Sequence, residues 1–275
     1  RVSLVGSEMC IRDRCSGAFQ IGASSGIITV LDTAAIDFET ASSCDITVRA
    51  TSADQSTSST TFTVLVTDVD DVAPSFTSSA SITMNENVQD VVSLTVTDAD
   101  STAAPTYTLS GTDSDLFQVN SGTLRFASST GQNFESMTCS ANPCTVTVTA
   151  TDAGGNTGTQ VVSVTIQDVN EFSPEFGDGD TATATPNENQ QAVGTYAASD
   201  ADGTATQTYS ILTATQNAAS VDHDLFSVAS GGVLTFATAP NYESAGCGSG
   251  DDSNTCVVVI QVTDGANTDT ITVTV

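Results

Sequence analysis

The 275 residues carry 33 Asp and Glu against five Arg and no Lys, a formal net charge of −28. That field excludes nucleic acid as a partner, because phosphate backbones are bound by neutralising cations, and no apolar run reaches the roughly 18 residues of a membrane-spanning helix. Apolar residues make up 39% and aromatics 5%, with no Trp, so a chain long enough for two or three domains of about 100 residues must build its cores from Val, Ile, Leu, Ala and Phe.

At the start, Leu4 to Asp13 (LVGSEMCIRD) resembles a translated transposase adapter from sequencing-library preparation, so residues 1–14 are set apart as an adapter-derived, non-native segment. From residue 15 onward the chain matches itself. The linker DVDDVAPSF at Asp68 returns as DVNEFSPEF at Asp168, MNENVQ at Met84 as PNENQQ at Pro186, and VTDADS at Val96 as ASDADG at Ala198. Likewise DLFQVNSGTLRFAS returns as DLFSVASGGVLTFAT, NFES as NYES, and TVTATDAGGN as VIQVTDGAN. The stretch before Asp68 carries only the later half of this unit: FQIGASSGIITV, DFET, CDITVRAT. The expected organisation is a partial repeat over 15–73, a full repeat over 74–173, and a repeat over 174–275 that stops short of its linker.

Within each unit, segments such as VVSLTVTD, TVTVTATD and TQVVSVTIQD alternate apolar and polar residues, the period of half-buried strands. Gly, Asn, Asp and Ser separate them, and no segment holds a helical period. The expected fold is all-β: tandem antiparallel β-sandwiches of about seven strands with immunoglobulin-like Greek-key connections.

Cys139 and Cys144 flank a short loop after NFES, and Cys247 and Cys256 a longer one after NYES. Their matched positions point to two local disulfides and an oxidising compartment, since two thiols without further Cys or His make a poor zinc site. Cys44 matches the second Cys of these pairs; either Cys15 partners it or Cys15 stays unpaired. The single His223 reads as a solvated turn residue, and Tyr107, Tyr196, Tyr209 and Tyr242 read as core or rim packing. No Ser-His-Asp or Cys-His arrangement and no phosphate loop is present, and the acids are spread over linkers, so an enzyme is not expected.

Together these motifs resemble the cadherin repeat over nearly all of residues 15–275. The resemblance implies calcium at the repeat junctions. The family's Asp-x-Asn-Asp-Asn-x-Pro linker appears as Asp68, Asp70 and Asp71, and again as Asp168, Asn170 and Glu171; its early Glu as Glu86 and Glu188; its Asp-x-Asp as Asp98 with Asp100 and Asp200 with Asp202. Its Asp/Asn-aromatic-Glu appears as Asp37 with Glu39, Asn133 with Glu135 and Asn241 with Glu243, and its strand-end Asp as Asp152 and Asp264. Ca²⁺ takes six to eight oxygens, which carboxylates, amides and carbonyls supply, and residues i and i+2 of an extended segment point the same way.

Two ligand sets follow. The first joins Asp37, Glu39, Asp68, Asp70, Asp71, Asp98, Asp100 and Asp152; the second joins Glu86, Asn133, Glu135, Asp168, Asn170, Glu171, Asp200, Asp202 and Asp264. Val72 and Phe172 depart from the linker's last Asn, Ser52 from the strand-end Asp, and Glu188 and Glu243 have no linker to join. The resemblance implies an extracellular, calcium-stiffened stalk or adhesive segment, anchored to the cell surface outside this stretch, with another copy of itself or a cell-surface ligand as partner. The competing reading is a calcium-independent immunoglobulin-like spacer of a larger surface protein or secreted enzyme.

Overall fold

The computed structural model describes residues 8–13, 15, 17–23, 25–203, 206–244, 246–247 and 254–275, so most of the segment set apart at the start, residues 1–7 and 14, lies outside it. Among the described residues regular structure is strand, broken by single-turn 3-10 segments at Thr33–Ala35, Ser114–Leu116, His223–Leu225 and Ser230–Gly232. The chain divides into two compact units: residues 1–83 with 89–131 and 139–165, and residues 84–88 with 132–138 and 166–275. Each linker thus shares a unit with the segments expected to meet it.

The first unit opens with β1 (Glu8–Asp13), β2 (Phe19–Ile21), β3 (Ile28–Val30), β4 (Ser43–Thr51) and β5 (Thr57–Leu65). β1, β4 and β5 form one sheet in that order and β2 and β3 another. Between them Ala18, Phe19 and Ile46 pack on the buried Cys15–Cys44 disulfide, which settles the partner of Cys15.

After the linker come β6 (Ser75–Phe76), β7 (Ser81–Asn85), β8 (Asp90–Ser93), β9 (Val96–Thr97), β10 (Thr106–Ser110), β11 (Phe117–Asn120), β12 (Thr123–Phe126), β13 (Cys144–Thr151) and β14 (Thr157–Gln167). One sheet runs β10-β13-β14-β7 and the other β11-β12-β8. On β13 the alternation is strict: Cys144, Val146, Val148 and Ala150 are buried while the intervening Thr are half-buried. The β13–β14 turn is closed by Asn156, whose backbone N–H donates to Asp152 Oδ1 at 2.7 Å. Gly155 in that turn has φ +93°, a conformation glycine adopts without a Cβ penalty.

β1 pairs with β4 in the register that β10 uses with β13: Met9 faces Ala50 as Tyr107 faces Ala150, and Ile11 faces Val48 as Leu109 faces Val148.

The second unit adds β15 (Glu175–Phe176), β16 (Thr181–Thr183), β17 (Ala192–Thr195), β18 (Ala198–Ser199), β19 (Thr208–Ile211), β20 (Phe226–Ala229), β21 (Val233–Phe236), β22 (Val257–Thr263) and β23 (Thr268–Thr274). Its sheets run β16-β23-β22-β19 and β17-β21-β20. Phe176, Tyr196, Phe226, Leu234, Phe236, Val258, Ile260, Val262, Ile271 and Val273 interdigitate between them, each side chain contributing about 1.5–3 kcal/mol by leaving water. One ladder is parallel, β16 on β23, where a purely antiparallel sandwich was expected. Both local disulfides, Cys139–Cys144 and Cys247–Cys256, are formed.

Tyr196 and Tyr209 belong to this core and Tyr107 packs near Phe76, but Tyr242 is 68% exposed, an exception to the packing expected of the tyrosines. His223 is not simply solvated: its Nδ1 lies 3.0 Å from the Ser220 carbonyl, and the ring is largely covered.

Candidate metal centre

The second linker and its neighbours lie within one unit, where the acids come together most tightly. Glu86 leaves the end of β7 with only 3% of its surface exposed. Its two oxygens accept from the backbone: Oε2 from Phe134 N at 2.7 Å and Oε1 from Val169 N at 2.8 Å. This ties the NFES turn and the linker to one side chain. One oxygen each from Glu86, Glu135 and Asp168 gather within 4.8 Å of one another, and one each from Asp200, Asp202 and Asp264 do the same.

Both carboxylate oxygens of Glu135 and one of Asp200 are shut off from solvent and accept no hydrogen bond. Burial holds the Glu135 carboxyl above its usual range, and the charges of Glu86, Asp168 and Asp202 push the same way, outweighing its own backbone amide. A buried anion without a donor is costly unless a cation meets it.

The linker is positioned by the acids of the following repeat. Asp202 Oδ2 accepts from Glu171 N at 2.9 Å and Phe172 N at 2.8 Å. The Asn170 amide reaches Asp264 at 2.9 Å and Asp202 at 3.1 Å, donating to both when its nitrogen faces them. The Asn267 side chain donates to the Phe172 carbonyl at 2.8 Å. The backbone N–H of Asn267 holds the Asp264 carboxyl below its usual range against the opposing effect of burial, with the Ala266 N–H and the Asn267 and Asn170 side chains assisting. Two predicted ligands lie outside the trios and bond to neighbouring side chains and backbone: Glu171 accepts from Asn87 at 2.8 Å and Asn133 at 3.4 Å, while the Asn133 oxygen accepts from Ser136 N and Oγ.

The first linker repeats this arrangement within the other unit. Asp100 Oδ2 accepts from Asp71 N and Val72 N, both at 2.7 Å, as Asp202 does from Glu171 and Phe172. Asn156 donates to the Asp70 carbonyl at 3.0 Å and to Asp152 Oδ2 at 3.1 Å. A Cβ on Gly154 would stand 2.3 Å from the Asp70 carbonyl oxygen, so only glycine lets the turn approach the linker this closely. Asp98 and Asp100 touch: the Asp100 side chain, then burial, holds the Asp98 carboxyl above its usual range, while N–H groups led by that of Val72 hold Asp100 below it. One oxygen each of Asp70 and Asp100 is buried without a donor.

Glu39 feels both Asp37 and Asp71; with burial these overcome its own backbone amide and hold its carboxyl above the usual range. Asp37 is turned to its own loop, accepting from Glu39 N and Thr40, and Asp68 is exposed. Among the described residues the tight trios lie at the second linker.

Several structural residues were not picked out from the sequence. Asn156 and Asn267 close the strand-end turns and reach the linkers, and their shared place in TDAGGN and TDGAN was the available signal. Asp113 and Asp222, in TDSDLF and VDHDLF, are buried caps: Asp113 accepts from Ser140 N at 2.9 Å and Thr145 N at 2.8 Å, Asp222 from Val257 N at 2.8 Å.

No family model matches the chain and no curated protein matches it in sequence. Solved structures do. Mouse cadherin-23 EC22-24 superposes with a TM-score of 0.66 at 21% identity, over 98% of this chain and 84% of that one. A protocadherin gammaB7 EC3-6 cis-dimer structure gives 0.70 at 22% identity, over 97% and 68%, and Drosophila N-cadherin EC1-4 gives 0.58 at 19%, over 98% and 66%. The chain has the β-sandwich repeat fold of cadherin ectodomains.

Proposed function

We propose that this stretch is a calcium-stiffened segment of an extracellular stalk or adhesin. The observation that carries the proposal is the set of buried carboxylate oxygens that receive no hydrogen bond, on Asp70 and Asp100 at the first linker and on Glu135 and Asp200 at the second. The donor set is all oxygen, the chemistry of a hard divalent cation, with no imidazole or thiolate among it. Glu86, Glu135, Asp168, Asp200, Asp202 and Asp264 would hold the ion or ions at the second linker, and Asp70, Asp98, Asp100 and Asp152, with Glu39 and Asp71, at the first. Bound calcium cancels the mutual repulsion of these acids and fixes each linker against the repeats on either side. The function is mechanical rather than catalytic, and its partners, in line with the resemblance, are calcium and another copy of the protein or a cell-surface ligand.

Thermal unfolding in EDTA and in millimolar calcium tests this reading, repeated with Asp98→Asn and Asp100→Asn combined. Calcium should raise the midpoint of the parent and raise it less in the variant. An equal, null response in both would identify an inert acidic spacer.

A further inference from the structure

Glu171 and Asn133 stand where the resemblance places ligands, yet their side-chain atoms are already paired. The Asn133 oxygen accepts from Ser136 N at 2.8 Å and Ser136 Oγ at 2.7 Å, which uses both of its lone pairs and turns the amide nitrogen toward Glu171. That nitrogen donates to Glu171 Oε1 at 3.4 Å, and the Asn87 side chain donates to Glu171 Oε2 at 2.8 Å. Both oxygens of Glu171 are thereby met by neutral amides from residues 84–88 and 132–138, all within the second unit.

The donors are themselves fixed without help from an ion. Asn87 N donates to the Gln132 carbonyl at 2.7 Å and Glu86 N to the Gln167 carbonyl at 3.0 Å. The buried Gln132 side chain accepts in turn from Thr138 N at 3.0 Å and Thr138 Oγ1 at 2.8 Å. Residue type matters here. At the first linker the place of Asn133 in the motif is taken by Asp37, whose Oδ1 accepts from Glu39 N and Thr40 N and whose Oδ2 accepts from Thr40 Oγ1. A carboxylate has no N–H, so Asp37 offers Asp71 no bond of this kind.

We infer that Asn87, Glu171 and Asn133 form a latch that holds the second linker onto residues 84–88 and 132–138 when no cation is bound. They are positioning residues rather than ligands. The latch holds the Glu171 side chain while Asp202 holds the amides of Glu171 and Phe172, so Asp168 stays beside Glu86 and Glu135 and the carboxylates are in place before the ion arrives. A bond from an amide to a carboxylate is charge-assisted and stronger than a neutral one, so the latch offsets part of the repulsion among these acids. It stands on the hydrogen bonds alone; only its positioning role rests on the calcium reading.

Hydrogen exchange of the Val169 amide in EDTA tests the latch, because that N–H donates to Glu86 Oε1 at 2.8 Å and is released when the linker lifts away. In the whole parent chain it should be protected without calcium. Glu171→Ala should speed its exchange about tenfold. Asn133→Asp keeps the turn cap but loses the donor and should act in the same direction, while the Val257 amide, held by Asp222 in the same unit, exchanges as before. Were Glu171 only a ligand, Glu171→Ala would relieve charge crowding in EDTA and leave Val169 as well protected or better. That result overturns the inference, as does an unprotected Val169 in the parent or an equal loss at Val257, which would mark general loosening. A parent whose melting ignores calcium removes the calcium reading, and the exchange in EDTA still decides the latch.

Discussion

Replacing Glu135 by Gln separates the fold from the ion. Neither Glu135 oxygen accepts a hydrogen bond from another residue, so the isosteric amide breaks no bond between residues. Without calcium the change removes a buried charge that faces Glu86, Asp168 and Asp202, and the variant should be more stable than the parent. With calcium the same change removes a ligand. Each tenfold loss of affinity takes away about 1.4 kcal/mol of ion-linked stability at saturation, or about 4–8 °C of midpoint for each kcal/mol lost in a repeat of this size. The signature is a reversal of sign, with the variant above the parent in EDTA and below it in calcium, measured by calorimetry or circular dichroism melts. A variant less stable than the parent in EDTA, or one with an unchanged calcium response, would refute the reasoning.

Other outcomes follow from the same geometry. In EDTA the raised carboxyls of Glu135, Glu39 and Asp98 bind protons more readily folded than unfolded, so their penalty is full at neutral pH and is relieved as pH falls through their raised values. Melts stepped downward from neutral pH toward the raised values should therefore show rising stability in EDTA and a flatter profile in calcium; a flat EDTA profile would count against these shifts. At lower pH, Asp100 and Asp264, whose carboxyls sit below their usual range, reverse the trend, because their stabilisation is lost as they protonate. Asp113→Ala strands the amides of Ser140 and Thr145 at about 1–3 kcal/mol each, and the loss should be equal in EDTA and calcium because this acid is a cap. Changing Cys15 and Cys44 together to Ala opens a loop with a sequence separation of 29 and should cost the first unit about 3–4 kcal/mol in denaturant melts, whereas an unchanged midpoint would mean the bridge constrains little.

The repeating strands, the local disulfides Cys139–Cys144 and Cys247–Cys256 and the acids of the linkers are legible in the sequence because each depends on local pattern. Alternation along TVTVTAT follows from the period of an extended chain, and Asp-x-Asp places two carboxylates on one side whatever lies around them. Tertiary structure decided what each acid does. Asp113 and Asp200 look alike as sequence, yet one caps two amides and the other keeps a buried oxygen without a donor, because only the fold determines which N–H groups lie nearby. In the same way the structure turned Glu171 toward Asn87 and Asn133 and drew Asn156 and Asn267 onto the linkers. These are long-range contacts, set by how strands far apart in sequence stack, which no local periodicity encodes.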